Sequence, residues 1–291
     1  MSRYKLRANY DIENIDSQKM DGTVIVDVPM LSNGELNYGL SHIKKKLYEE
    51  NVYPSEIGFD IMSLATMVYM ADTRIERVVH GQDSWTREIE LEIPVSNVEI
   101  WDSQIRTVER MLKFLTGDLW KITLSSRAWQ FNNLEEVREK SNKYDEVSLF
   151  SGGMDSLIST INLMENKKNT LLISHAGEGL TKNAQKNIVN KFDLLYPDVL
   201  HTWLDLWMVF PRDYIPAGGN DNNTRSRSFL FIGYALFAMT GMDNINELLV
   251  PENGLIALNV PLDETRVGSF STRTTHPFYL SLWNELLVGL G

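Results

Sequence analysis

The pattern of apolar and polar positions changes character near residue 143. Before it, "GTVIVDVP" (22–29) alternates and reads as a strand. "LNYGLSHIKKKLYEE" (36–50) has the spacing of an amphipathic helix. "PSEIGFDIMSLATMVYMADTRI" (54–75) opens on a proline suited to a first helical turn and repeats apolar residues at helical spacing. "TREIELEIPV" (86–95) alternates charged with apolar positions, as a strand with one exposed face does. "SQIRTVERMLKFLTGD" (103–118) predicts a helix stopped at Gly117, and "LWKITLSSR" (119–127) a further strand. Together these predict an α+β unit over 1–143, closed by the polar connector "NNLEEVREKSNK".

Beyond the connector, strand and helix patterns alternate strictly. "EVSLF" (146–150), "NTLLISH" (169–175), "VLHTWLDL" (199–206) and "NELLVPENG" (246–254) read as strands. "MDSLISTINLMEN" (154–166), "TKNAQKNIVNKFDLLYP" (181–197) and "TRSRSFLFIGYALFAMTG" (224–241) read as helices, the last closed by Gly241. Such alternation predicts an α/β domain over 144–291, a Rossmann-like parallel sheet with helices on both faces. Ligands bind at the carboxyl ends of such strands. Ser151 to Ser156, Ser174, His175, the loop after Asp205, and Glu252-Asn253-Gly254 all fall there.

Composition narrows the partners. A net charge of −11 argues against general nucleic-acid binding, which depends on neutralising phosphates. The absence of cysteine removes disulfides, thiolate metal sites and cysteine nucleophiles. Five histidines without an H-E-x-x-H pattern give no zinc site. The first residues lack an apolar signal core, and "FLFIGYALFAM" (229–239) is about half a membrane span. A soluble cytoplasmic protein with no membrane partner is the expectation, and a homodimer is compatible with it.

The loop Ser151-Gly152-Gly153-Met154-Asp155-Ser156 carries the chemistry. Its glycines let the backbone turn tightly and approach a ligand. The amides of Gly153, Met154 and Asp155 point toward one spot where a helix begins, a place that favours anions. Ser151 and Ser156 add hydroxyls. Asp155 would repel phosphate unless it holds a nucleotide's Mg²⁺; as an alternative it caps the helix. No lysine is present in the turn, so this is neither the Walker pattern nor G-x-G-x-x-G.

Further candidates surround it. Arg227, at a helix start where the dipole disfavours it, is a candidate for nucleotide phosphate or substrate; a surface ion pair is the alternative. Glu252 and Asn253 could read a guanine-like edge or form a plain turn. "SFSTRTTHP" (269–277) packs five hydroxyls, Arg273 and His276 into nine residues. Arg273 could hold a carboxylate, with Thr274 and His276 as donors or a proton carrier. A hydrogen-bonded loop is the competing reading. His42, His80 and His201 read as structural, and Trp203 and Trp207 as core. The loop "PRDYIPAGGNDNNTR" (211–225) is long for its position and is a candidate lid.

The string S-G-G-x-D-S between a strand and a helix resembles the pyrophosphate loop (PP-loop) of the ATP pyrophosphatase superfamily. "TRSRSFLFIGYALFAMTG" is similar to the R-N-x-x-F-L-x-x-A-x-x-Y-A helix of 7-cyano-7-deazaguanine synthase, with Arg227-Ser228 where Arg-Asn is usual. "DSWTREIELEIPVSNVEIW", "FLTGDLWKI", "PENGLIALNVPL" and "RVGSFSTRTTHPFYLSLWNELL" look like divergent relatives of that synthase from antiviral-defence operons. The likeness covers most of 83–291. It implies an adenine nucleotide alpha hydrolase-like fold, with ATP and Mg²⁺ as cofactors. It implies an ATP-dependent carbon–nitrogen ligase that adenylates a carboxylate, by resemblance 7-carboxy-7-deazaguanine, and releases pyrophosphate. ATP would be held by residues 151–156, by Ser174 and His175 (mostly through the backbone), and by Arg227. Ser151, Asp155 and Ser156 would act in catalysis. Glu252, Asn253, Arg273, Thr274 and His276 would bind the deazapurine. The housekeeping synthase has a four-cysteine zinc site that this chain lacks, and it has no counterpart of the front 140 or so residues. That extra unit is a candidate docking surface for a protein acceptor, whose amine would replace ammonia as nucleophile. Rival readings are a PP-loop tRNA-modifying enzyme and an ATP-binding sensor or scaffold without turnover.

Overall fold

Two sheets organise the chain. The computed structural model describes residues 3–131, 140–175, 179–208, 210–221, 225–258 and 273–291. The front half runs β1 (Arg3–Asn9), β2 (Asp16–Met20), β3 (Thr23–Pro29), β4 (Leu31–Ser32), β5 (Glu35–Leu36), α1 (Leu40–Glu49), α2 (Glu56–Arg74), α3 (Arg77–His80), β6 (Glu88–Val95), α4 (Val98–Asp102), α5 (Ile105–Thr116) and β7 (Leu119–Ser126). The back half runs β8 (Glu146–Leu149), α6 (Met154–Glu165), β9 (Thr170–His175), α7 (Gly179–Leu195), β10 (His201–Leu206), α8 (Arg227–Met239), β11 (Leu248–Leu249), α9 (Gly254–Ala257) and α10 (Pro277–Leu290).

The front sheet has the order β2-β3-β1-β6-β7. β3, β1, β6 and β7 are mutually parallel, and only the edge strand β2 is antiparallel. This unit is therefore more parallel than the α+β expectation. Its two-residue turn at Asp21-Gly22 has positive φ at both positions, the geometry that suits a tight hairpin. Strand alternation sends Tyr4, Leu6, Val26, Ile89, Leu91 and Ile122 into the core under α2 and α5. The opposite face carries Lys5 between Glu90 and Glu92 at 3.0 and 2.9 Å, with Lys121 3.3 Å from Glu90. These cross-strand pairs let a parallel sheet leave one face to solvent. α2 starts at Glu56, with Ser55 as its cap accepting from Gly58 N, so Pro54 precedes the helix rather than opening it.

The back sheet has the order β10-β9-β8-β11, all parallel. Val147, Leu149, Leu171, Ile173, Leu204 and Leu206 face α8 and the main core. Phe150 and Leu172 face the other way, against Leu157 and Ile161 of α6 and Phe192 of α7. Helices thus cover both faces in a Rossmann-like arrangement. β11 is shorter than the 246–254 expectation, and the segment after it turns into the short α9.

α2 packs directly on α8, and one continuous core includes residues from both halves. A Cβ on Gly233 would lie 2.8 Å from Ala65 Cβ, so glycine permits the close approach. α2 is buried nearly throughout because the front sheet covers one side and α8 the other.

Candidate active site

Numbered within its own sheet, the back half's strand order is third, second, first, fourth. Winding reverses between β8 and β11, and the crevice at such a reversal is where open α/β sheets bind ligands. A cavity of about 460 Å³ opens there. Ser151, Gly153 and Ser156 line it from the loop after β8, His175 from the end of β9, and Arg227 and Ser228 from the start of α8. Glu252, Thr274 and Thr275 complete the polar wall, while Phe231, Ile232 and Val250 supply an apolar one. Its size and mixed lining suit a small-molecule ligand.

The loop is held by its own hydroxyls. Gly152 N and Gly153 N donate to Ser156 Oγ and Ser151 Oγ at 3.1 and 3.3 Å, and Ser156 Oγ donates to Gly153 O at 2.9 Å. Gly152 has φ +81°, and a Cβ there would lie 2.7 Å from Gln185 Cγ. Gln185 of α7 is buried and donates from Nε2 to Ser151 O at 3.0 Å, latching the loop from behind. α6 begins with Gly153 as its cap and no side-chain cap bond. The amides of its first turn have no carbonyl one turn earlier, so this helix end presents donors and partial positive charge. The capping alternative for Asp155 is not what forms: it sits exposed in the first turn, with no hydrogen bond or ion pair among the described residues.

No family model, curated protein or solved structure matches the chain.

His175 is 3% exposed, and both ring nitrogens lack a hydrogen-bond partner among the described residues. Its ring packs 5.8 Å from both Tyr69 and Tyr234. Burial, and then the nearby Arg227 charge, depress its pKa to about 4, so it is neutral at physiological pH. Arg227 Nη2 donates to His175 O at 2.9 Å. Burial, and then the Asp155 charge, raise the pKa of Glu252, which lines the cavity. Among the described residues no group of three or more acidic or histidine side chains gathers as a metal site.

Of the expected residues, Gly152, Met154, Asp155, Ser174, Asn253, Arg273 and His276 do not line the cavity. Ser174 Oγ is committed to the fold, donating to Phe150 O at 2.5 Å and accepting from Trp203 Nε1 at 2.8 Å. Met154 is 76% exposed, so only its backbone is placed to serve the loop. Arg273 Nη1 donates to Phe114 O at 3.0 Å, and Arg273 does not line the cavity. His276 caps α10 by accepting from Phe278 N and packs its ring 5.3 Å from Phe114. Asn253 leads into α9, its carbonyl accepting from Ala257 N. Trp207 is 52% exposed rather than core. His80 and His201 are structural as expected, the first beside Tyr4 OH and the second 2.9 Å from Asp193. The candidate lid is pinned to the front half through Pro211 O, Ala217 O and Gly218 O, and its described residues line no part of the cavity. Residues 259–272, which include Ser269, Ser271 and Thr272 of the hydroxyl-rich stretch, lie outside the described residues.

Sequence reasoning missed Gln185, Thr181 and a buried ion network. Arg87, 1% exposed, donates to Asp72 Oδ1 at 2.5 Å and to Asp118 Oδ2 at 2.7 Å. Arg77 adds bonds of 2.6 and 2.9 Å to Asp118. Burial works against the charge of Arg87, but the Asp118 and Asp72 contacts outweigh it and raise its pKa.

Proposed function

We propose that the chain is an ATP-dependent carbon–nitrogen ligase of the PP-loop type. The observation that carries this reading is the position of Ser151–Ser156: an uncapped helix start at the winding reversal, opening on a cavity with Arg227 and Glu252 in its wall. The β- and γ-phosphates of ATP lie against the first-turn amides of α6 and the Ser151 hydroxyl. Arg227 neutralises phosphate charge from the opposite wall. Asp155, exposed in the first turn of α6 and close enough for its charge to act on Glu252, would hold a divalent cation carried by the nucleotide. Mg²⁺ bound there supplies charge neutralisation of the phosphates.

The second substrate is a carboxylate on a planar heterocycle, 7-carboxy-7-deazaguanine by resemblance. Phe231, Ile232 and Val250 offer it an apolar wall, and Glu252 and the Thr274-Thr275 pair offer polar edges. One carboxylate oxygen attacks the α-phosphorus, and the bond to the bridging oxygen breaks. Pyrophosphate leaves with that electron pair, held by the loop. An amine then attacks the acyl carbon, loses a proton to solvent and displaces AMP. The residues act by position and electrostatics rather than by covalent participation. The test is product analysis with Mg-ATP, 7-carboxy-7-deazaguanine and an amine. AMP with pyrophosphate is expected, and Asp155→Ala is expected to abolish both; ADP with phosphate, or full activity in Asp155→Ala, overturns the reading.

A further inference from the structure

Two walls of the cavity hang on the carboxyl end of α5, in the front half. Arg225, two residues before Arg227, donates from Nη1 to Thr116 O at 2.8 Å and stacks 4.6 Å from the Trp85 ring. Arg273, adjacent to the lining residue Thr274, donates from Nη1 to Phe114 O at 3.0 Å. Both carbonyls belong to the last turn of α5, where helical partners run out and the dipole is negative, so cations are favoured there. The left-handed Gly117 (φ +80°) ends the helix, and a Cβ on it would lie 3.8 and 3.9 Å from the two Nη1 atoms. The two guanidinium groups thus converge on one point.

A third tie reaches the same place. The cap residue of α8, Ser226, makes no side-chain cap bond. Asp72 of α2 takes Ser226 N at 2.9 Å instead. Arg87 holds Asp72 and is itself held by Asp118, two residues past the end of α5.

We propose that the carboxyl end of α5, acting through Arg225 and Arg273 and seconded by Asp72, positions the cavity walls 225–228 and 273–275. The front half is then a wall-holding part of the site, a role separate from docking an acceptor. The device does not depend on which ligand the cavity takes; its consequence for adenylation rests on the reading above.

A test exploits the absence of native cysteine, since one introduced thiol reports alone. Thr275 and Thr170 are both buried, the first in the cavity wall and the second at the far end of β9. Thr275→Cys and Thr170→Cys are made separately in the full chain and labelled with a small methanethiosulfonate. Adding Arg273→Met is expected to speed labelling at 275 about tenfold or more, the worth of one charge-assisted hydrogen bond, and to leave 170 unchanged. Arg273→Lys, which keeps a donor for Phe114 O, restores protection. Arg225→Met with Ser228→Cys is an independent second arm, expected to behave alike. Unchanged rates at 275 and 228, or equal acceleration at 170, overturn the proposal, the latter by showing a merely global loss of stability. ATP binding by the parent chain, measured alongside, tests the ligase reading separately.

Discussion

Lowering the pH from 7 to 5 should destabilise the protein through His175, and the size of the effect follows from its surroundings. The imidazole is buried without a hydrogen-bond partner among the described residues, and Arg227 lies close. Its pKa falls from 6.5 to about 4 on folding. A depressed folded value means that the unfolded chain takes the proton first as pH drops. The stability tied to the neutral form is therefore complete above about pH 6.5 and drains away toward pH 4. The full shift corresponds to about 3 kcal/mol, of which about 2 kcal/mol is lost between pH 7 and pH 5. Urea denaturation of the parent chain and of His175→Gln at both pH values measures this directly. Other titrating groups cancel in the comparison, so the parent should lose about 2 kcal/mol more than the variant. Histidine NMR should show the ring neutral at pH 5. Equal losses in the two proteins, or titration near 6.5, would refute the reasoning. The same neutrality means that His175 brings no charge to the cavity wall at neutral pH.

Other residues give sharper single outcomes. Gly152→Ala forces a side chain into a left-handed backbone and against Gln185, so a loss of about 1–3 kcal/mol in urea denaturation and weaker ATP binding are expected. Asp72→Ala leaves the buried Arg87 with one carboxylate fewer and Ser226 N, at the start of α8, without its acceptor; a cost of about 3 kcal/mol is expected, and a change under about 0.5 kcal/mol would contradict the network's role. Arg227→Gln should weaken ATP binding about tenfold by calorimetry while leaving the melting temperature within a few degrees.

Local features were the legible ones. Alternation identified β6, β7 and the back-half strands, and the glycine after α5 marked its end. β1 went unread because its short Tyr4-Leu6-Ala8 stripe is interleaved with charges that belong to the solvent face. β2 is exposed at every position, so it has no periodic signal; only the Asp21-Gly22 turn betrays it. The Ser151–Ser156 loop could be read because its hydroxyls and glycines fall within one six-residue segment. Gln185 could not, since a glutamine in an amphipathic helix looks ordinary until the fold places it behind Ser151. In sequence, Arg273 belongs to the polar run 269–277, which points it toward a substrate carboxylate. Its Nη1 donates to Phe114 O in the last turn of α5, a partner distant in sequence. Asp72, Arg87 and Asp118 are likewise scattered across 47 positions and meet only because α2 and the start of β6 converge on the end of α5.

In the proposed reaction a carboxylate, not water, attacks the α-phosphorus of ATP. Labelling both carboxylate oxygens of 7-carboxy-7-deazaguanine with ¹⁸O tests it most directly. One labelled oxygen stays on the acyl group and the other bridges to phosphorus, so displacement by the amine leaves it on AMP. AMP carrying one ¹⁸O and a product retaining the other are expected. Unlabelled AMP beside fully labelled acid would mean hydrolysis without activation and would contradict it.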